Sequence, residues 1–392
     1  MSLVRCFSSF TKRIGSFSII FALKFCTNKS LDYKITGVID NRESRITDWI
    51  ILNKEKKTRI DVENVMKLLV TGGLGFIGST FILKALKNHE FRIVNIDDEL
   101  YGSNHANLTE VQNSKNYEFV KGNITDYNLM NKLVSDSDAI VNFAAESHVD
   151  RSISNAKPFI DSNIIGIFTI LEILKKQKKR LLHISTDEVF GSMEDGSADE
   201  NFRLNPSSPY AASKAAAELL INSYMVTYGC DILITRCTNN YGPRQSPEKL
   251  IPKTIILADQ NKKIPIYGNG KNVRDWIFVD DHCDAIMQVL YKGKSGESYN
   301  ISASNEIDNL TIIKKILSLM GKSTDQIEFV EDRPGHDFRY SMNSSKIRTN
   351  LKWSQKVCFD EGLEKTISWY LTNKSWWNNL DEKILTKMPW KN

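Results

Sequence analysis

A doubly wound, parallel α/β sheet with a smaller C-terminal α+β region is the fold this sequence predicts, on two observations. From Met66 onward, short apolar runs alternate with amphipathic stretches, and the first run passes through spaced glycines straight into a helical pattern. The runs 67–71, 93–97, 139–144, 180–185 and 231–236 are short and rich in Val, Ile and Leu, as buried parallel strands are. Between them, 79–88, 128–134, 159–175 and 212–228 carry apolar residues at helical spacing. After about Cys237 the alternation breaks into shorter elements separated by Pro243, Pro252, Pro265, Gly268, Gly270, Pro334 and Gly335, which predicts a smaller region seated over the sheet. The expected division is residues 66–241 for the sheet domain, with part of 275–303 returning to it, and mainly 242–392 for the second.

Composition narrows the class. Of 392 residues, 41% are hydrophobic and 10% aromatic, enough to bury a sizeable core. The 52 basic and 47 acidic residues are interspersed, so a nucleic-acid binder is not expected. The cysteines Cys6, Cys26, Cys230, Cys237, Cys283 and Cys358 form no C-x-x-C pair, which suits a reducing compartment and no metal site. The apolar run at 19–23 is closed by Lys24, far short of the ~20 residues a membrane span needs, so no membrane partner is expected. Residues 1–65 stand apart. Arg5, Lys12, Arg13, Lys24 and Lys29 all precede the first acid, Asp32, so this stretch reads either as an organelle-targeting segment or as an extension ahead of a start at Met66. A cytoplasmic location is expected unless the segment is a real transit peptide.

Three groups of residues carry chemistry. Thr71-Gly72-Gly73-Leu74-Gly75-Phe76-Ile77-Gly78 joins a strand to a helix, with glycines for the turn, for close approach of a pyrophosphate and for helix packing. Asp97 ends the next strand, 19 positions beyond Gly78, where a carboxylate binds ribose hydroxyls and repels a 2′-phosphate; the expected cofactor is NAD. Asp98 could share that role. Tyr210 and Lys214 lie four apart at a helix start, so both project from one face, where the cation favours phenolate. Finally, the strand from Arg180 delivers Ser185-Thr186-Asp187-Glu188, adjacent carboxylates at the end of a sheet strand, where surroundings can split them into an acid and a base.

The Gly-rich turn with Tyr210-x-x-x-Lys214 resembles the extended short-chain dehydrogenase/reductases, a Rossmann-type family acting mostly on nucleotide sugars, over nearly all of 66–371. Further motifs resemble the dTDP-glucose 4,6-dehydratases among them: His183-Ile184-Ser185-Thr186-Asp187-Glu188-Val189-Phe190-Gly191, the stretch from Ala144 to Ser152, Asn239-Asn240-Tyr241-Gly242-Pro243, the stretch from Pro247 to Pro252, Pro265-Ile266-Tyr267-Gly268, Arg274-Asp275-Trp276 and Arg333-Pro334-Gly335-His336-Asp337.

The resemblance implies a tightly held, recycled NAD contacted by Gly72, Gly75, Phe76, Ile77, Gly78, Asp97, Asn123, Ile124, Ala144, Ala145, Ser162, Tyr210, Lys214 and Asn240. It implies substrate contacts at Ser147, Thr186, Asn239, Lys249, Leu250, Pro265, Tyr267, Arg274, Asn309, Arg333 and His336, and catalysis by Thr186, Asp187, Glu188, Tyr210 and Lys214. In that mechanism Tyr210 takes the 4-hydroxyl proton, Glu188 removes the carbon-5 hydrogen and Asp187 protonates the departing 6-hydroxyl. It further implies a homodimer through the long helices. Three positions depart from the family pattern: Asn123 where Asp is frequent, Phe190 for Tyr, and Phe338 where Arg often stands. A UDP-glucose dehydratase, or an NAD-dependent epimerase or decarboxylase on the same scaffold, is the alternative; an epimerase has no use for an acid–base pair at carbons 5 and 6, so Asp187-Glu188 argues for dehydration.

Overall fold

The structure is a computed structural model and describes residues 10–14, 17–21, 65–87, 91–378, 385 and 388–391. The chain divides into Met1–Arg59 and Ile60–Asn392. In the first unit Phe10–Ile14 (β1) pairs antiparallel with Phe17–Phe21 (β2). The expectation of a targeting segment or an extension at 1–65 otherwise lies outside the described residues.

The second unit is built on seven parallel strands: Met66–Thr71 (β3), Phe91–Asp97 (β4), Tyr117–Lys121 (β5), Ala139–Asn142 (β6), Arg180–Thr186 (β7), Ile232–Cys237 (β8) and Ser298–Ile301 (β12). Their order is β12-β8-β7-β6-β3-β4-β5. The chain runs outward from β3 to β5, then crosses back to place β6 on the other side of β3. That reversal opens a crevice beyond the carboxyl ends of β3 and β6, where ligands of such sheets bind. The central strands are apolar on both faces because helices cover both, and β3, β6 and β8 are buried almost end to end.

On one face lie Tyr127–Ser135 (α2), the composite helix α4 and Pro209–Tyr228 (α5). Helix α4 consists of Lys157–Phe159, a π turn over Ile160–Ile165 and Gly166–Leu174. Leu69, Val94, Ile140, Ile170, Ile173, Leu181, Ile221 and Ile232 form the core between these helices and the sheet. On the other face Phe76–Lys87 (α1) packs with Val279–Lys292 (α7), where the Cys283 thiol reaches Ile77 O at 3.7 Å. Helix α5 starts cleanly because Ser208 accepts from the Ala211 amide and Pro209 occupies the first turn; it ends at Gly229, φ +63°.

The second region interleaves with the sheet. Asn239–Tyr241 (β9), Val273–Phe278 (β11) and Glu306–Asp308 (β13) form one small sheet, and Ile264–Tyr267 (β10) pairs parallel with Ile327–Val330 (β14). Leu250–Asp259 (α6), Asn309–Leu319 (α8) and Phe359–Thr372 (α9) bury Ile251, Ile255, Ile312, Ile316, Leu363 and Ile367 against Trp276 and Tyr241. No helix among the described residues is long and apolar enough to cross a membrane.

Candidate active site

The Gly-rich turn leaves β3 at the crevice. Gly72 has φ +70°, and a Cβ there would stand 2.6 Å from the Ala144 amide, so this crossing of the β3 and β6 turns admits only glycine. At Gly78 a Cβ would meet Gly72 O at 2.5 Å, which holds α1 tight against the turn. The ladder of α1 opens with Ser79 N to Gly75 O at 3.0 Å, so the amides of Phe76, Ile77 and Gly78 lie ahead of it at the positive end of the helix. A dinucleotide diphosphate fits this cradle: at Gly75 a Cβ would meet only Gly72 O, at 3.3 Å, so that side is open to a ligand.

Asp97 is engaged within the protein at both oxygens. Its Oδ2 accepts from Leu74 N at 3.0 Å, while Oδ1 accepts from Glu99 N at 3.0 Å and Ser103 Oγ at 2.6 Å, fixing the Gly-rich turn to the loop after β4. Asn123 donates to Asp98 at 2.8 Å and accepts from Thr125, and Ile124 is buried beneath. Asn240 is spent internally: its amide donates to Thr238 O at 3.0 Å and its oxygen meets His282 Nδ1 at 2.9 Å.

Ala144 and Ala145 follow β6 at the crevice, and Ser162 stands on the π turn of α4. The π turn also carries a residue the sequence reading missed. Asn163, buried, accepts from Glu146 N at 2.9 Å and donates to Glu146 O at 3.0 Å and Ser213 Oγ at 2.8 Å, tying the loop after β6 to α5. Its signal was a lone amide inside an apolar helix.

Strand β7 and helix α5 bring the predicted chemistry together. Thr186 ends β7, and its hydroxyl donates to Asp187 Oδ1 at 3.1 Å and lies in hydrogen-bonding reach of the Tyr210 hydroxyl. Lys214 donates to Ile184 O at 2.7 Å. Asp187 Oδ2 and Glu188 Oε2 are buried with no hydrogen-bond partner in the protein, although buried carboxylate oxygens are ordinarily satisfied.

The electrostatics separate the two acids. Burial, then the neighbouring Glu188 charge, holds the Asp187 carboxyl well above the usual carboxylate range. Burial raises Glu188 too, but Arg333, Arg274 and Lys249 oppose it. Burial also pushes the Tyr210 hydroxyl well above its ordinary value, the Glu188 charge adding to it, and pulls Lys214 down to about 8. The protein's own residues therefore leave Tyr210 neutral, where the sequence alone suggested phenolate.

A second cluster gathers around Asp150 and Tyr267. Arg333 donates to Asp150 Oδ1 at 2.6 Å, and Tyr267 on β10 donates to Asp150 Oδ2 at 3.0 Å. Trp390 and His336 stand edge-on to the Tyr267 ring at 4.7 and 6.3 Å. Lys249 donates to Ser147 O at 3.1 Å, and His336 pairs with Asp332 at 2.6 Å. Pro265 is buried in β10, Leu250 and Asn309 begin α6 and α8, and the Asn239 oxygen is buried without a partner. Arg274, a substrate contact by resemblance, is engaged within the protein: it donates to Val273 O, Phe338 O and Asp337 O and stacks 4.2 Å from the Tyr340 ring, which pins the 333–340 loop.

A sheet reversed at β3/β6, a glycine cradle at that reversal and a buried Tyr/Lys pair on the adjoining helix define an extended short-chain dehydrogenase/reductase. Within that class the chain belongs to the GDP-mannose 4,6 dehydratase family, whose model matches residues 69–366. It is 45% identical over 321 residues to the dTDP-glucose 4,6-dehydratase of Streptomyces niveus, covering 80% of this chain and 96% of that protein. It is 48% identical over 307 residues to the low-salt glycan biosynthesis protein Agl12 of Haloferax volcanii, covering 78% and 99%. Among solved structures it superposes on DesIV, a dTDP-glucose 4,6-dehydratase of Streptomyces venezuelae crystallised with NAD bound. The TM-score there is 0.79 and the identity 43%, over 81% of this chain and all of that one.

Proposed function

We propose that this chain converts dTDP-glucose to dTDP-4-keto-6-deoxyglucose and water. The observation that carries the reading is the pair Asp187 and Glu188, adjacent at the end of β7, each with a buried carboxylate oxygen left without a partner and with its proton affinity set by different neighbours. An epimerase moves one hydride at one carbon and needs no such pair.

NAD, when bound in the cradle of Gly72, Gly75 and Gly78, supplies the hydride acceptor for carbon 4 and the donor for carbon 6. The protein's own residues handle the protons. Tyr210 first loses its own proton to solvent against the Lys214 charge on the same helical face, then takes the proton of the 4-hydroxyl, and Thr186 holds the same oxygen. The ketone at carbon 4 makes the hydrogen on carbon 5 acidic. Glu188, the less strongly protonated of the two acids, removes it. Asp187, held protonated by burial, donates to the 6-hydroxyl as it leaves as water. Residues 66–241 with part of 275–303 serve the cofactor, and the remainder of 242–392, chiefly Tyr267, Arg333, His336 and Lys249, serves the nucleotide.

The active form we propose is a homodimer. Ile165 and Phe168 on α4 and Leu219 and Val226 on α5 are exposed on adjacent helices, and Leu219 and Val226, seven apart, share a face.

The test is to incubate the protein with dTDP-glucose and with UDP-glucose separately, without added NAD, and follow product mass. Loss of one water from dTDP-glucose alone is expected. Loss only from UDP-glucose transfers the reading to that substrate, and no loss from either, with NAD then supplied, overturns it.

A further inference from the structure

Trp390 stands outside residues 69–366, the stretch the family model matches, and no step of the proposed reaction uses it. It sits in a single helical turn, Pro389–Lys391, that packs along the helix Val149–Ser154, and it is 8% exposed. Two surface contacts flank it. Ser154 Oγ donates to Pro389 O at 3.2 Å, and Lys391 pairs with Glu331, two residues ahead of Arg333. Exposed contacts of this kind are weak singly, so the buried indole is what seats the turn. The indole meets the Tyr267 ring with 4.7 Å between centroids and the planes 88° apart. The turn therefore touches each of the three segments that bring Asp150, Tyr267 and Arg333 together.

What the Tyr267 hydrogen bond leaves free gives that contact its importance. The phenol oxygen lies on the axis about which the ring turns, so donation to Asp150 Oδ2 at 3.0 Å fixes the place of the hydroxyl and not the plane of the ring. Rotation about that axis is broad and twofold for a tyrosine. The plane is set by whatever borders the ring. Among the described residues its aromatic neighbours are His336 at 6.3 Å and Trp390 at 4.7 Å, the nearer of the two and in the perpendicular arrangement that aromatic pairs favour.

We infer that Trp390 is a positioning residue for nucleotide recognition: it holds the plane of the Tyr267 ring, so that a flat base meets an aromatic face already turned to receive it. The inference rests on the proposed function, in which Tyr267 serves the nucleotide. Holding a binding group in its bound orientation lowers the cost of association without touching the reacting carbons. Trp390 is remote in role from Thr186, Asp187, Glu188, Tyr210 and Lys214, which handle the protons, so its loss falls on substrate affinity.

The test is steady-state kinetics of the full chain, on the nucleotide sugar that the unsubstituted protein dehydrates, with W390A, W390F, Y267A and the double variant W390A/Y267A. W390A is expected to raise KM about three- to tenfold, the range an aromatic pair spans, and to leave kcat within about twofold. W390F restores an aromatic edge beside the ring and is expected to recover KM to within about twofold of the unsubstituted value. Because Trp390 acts through Tyr267, the double variant should have the KM of Y267A alone, whereas a merely space-filling role would multiply the two losses. An unmoved KM in W390A overturns the inference, as does a loss confined to kcat or a double variant in which the losses multiply. If W390A does not fold, 19F NMR of the unsubstituted chain labelled with 5-fluorotryptophan decides, the Trp390 signal being identified by its loss in W390F. Saturating dTDP is expected to move that signal, and an unmoved signal overturns the inference. Turnover of dTDP-glucose with an unmoved KM in W390A sinks the inference alone; a chain that dehydrates neither dTDP-glucose nor UDP-glucose sinks the proposed function and this inference with it.

Discussion

Asp150 and Arg333, 183 positions apart in the chain, meet at 2.6 Å, and the second oxygen of the same carboxylate takes the Tyr267 hydroxyl. Burial alone would raise Asp150, yet Arg333, His148 and the hydrogen bonds hold it below the ordinary carboxylate value. One carboxylate at the start of Val149–Ser154 (α3) therefore orients both Arg333 and Tyr267.

Asp150→Asn keeps the volume but removes the charge that aligns the Arg333 guanidinium. Charge-assisted hydrogen bonds of this kind are worth about 1.5–3 kcal/mol. The expected outcome is a KM for dTDP-glucose raised about tenfold or more, with kcat changed by less than about threefold. A fall confined to kcat would place Asp150 in the chemistry instead.

Asp187→Asn and Glu188→Gln separate the two acids. General acid or base removal ordinarily costs about 10²–10⁴ in rate, and both variants are expected to lose water formation to that degree. Because Asp187 acts after oxidation, D187N should still form the 4-keto sugar that keeps its 6-hydroxyl, visible as a species two hydrogens lighter than substrate. Mass analysis of a single turnover checks this, and full dehydration by D187N at the unsubstituted rate would remove Asp187 from its role.

Acid stability carries a further signature. His282, a buried residue of α7, has Nδ1 on Asn240, and burial pulls it from 6.5 to about 3. A base with a depressed folded value stays neutral while the unfolded chain takes up a proton. Its contribution is thus complete above pH 6.5 and is lost as pH falls toward its folded value near 3. Each such group steepens the decline by about 1.4 kcal/mol per pH unit. His282→Asn keeps a donor to Asn240 but cannot titrate, so urea midpoints from pH 6.5 to 4 should fall less steeply than in the unsubstituted protein; an identical slope would show that His282 protonates freely.

How far the sequence reached depends on the range of the interactions. Strands 67–71, 93–97 and 180–185 were legible because buried parallel strands are apolar throughout, and the structure moves their ends by at most two residues: Met66–Thr71, Phe91–Asp97 and Arg180–Thr186. Strand β5 was missed because, as the sheet edge, it is only partly buried and shows no apolar run. The stretch 159–175 read as one regular helix, whereas Asn163 is held by Glu146 and Ser213 in a π turn that no local pattern encodes. Helix α5 begins at Pro209 rather than at 212, and the Ser208-Pro209 pair was a readable start signal. Thr186, Asp187, Glu188, Tyr210 and Lys214 were legible as motifs. Their proton affinities, the closure of Arg274 onto three carbonyls and the meeting of Asp150 with Arg333 were not, since each depends on residues brought from distant parts of the chain.

The proposed dimer follows from what α4 and α5 leave uncovered. Val226 is 88% exposed and Leu219 60%, beside Phe168 and Ile165 at 44% each, on the outer side of two helices whose inner sides already fill the core under the sheet. Isolated exposed apolar residues need no explanation, but four on a pair of packed helices are costly in water and suit a matching surface. A second copy can offer the same four residues about a twofold axis, burying them all at once. Leu219→Glu with Phe168→Glu is expected to convert the protein to a monomer in sedimentation at micromolar concentration, because two charges per chain would have to be desolvated at the contact. Both side chains point away from Tyr210 and Lys214, which the core faces of α5 hold against β7, so a resulting monomer should keep Tyr210 in place and lose thermal stability before it loses chemistry. A doubly substituted protein that sediments like the unsubstituted one would move the interface elsewhere.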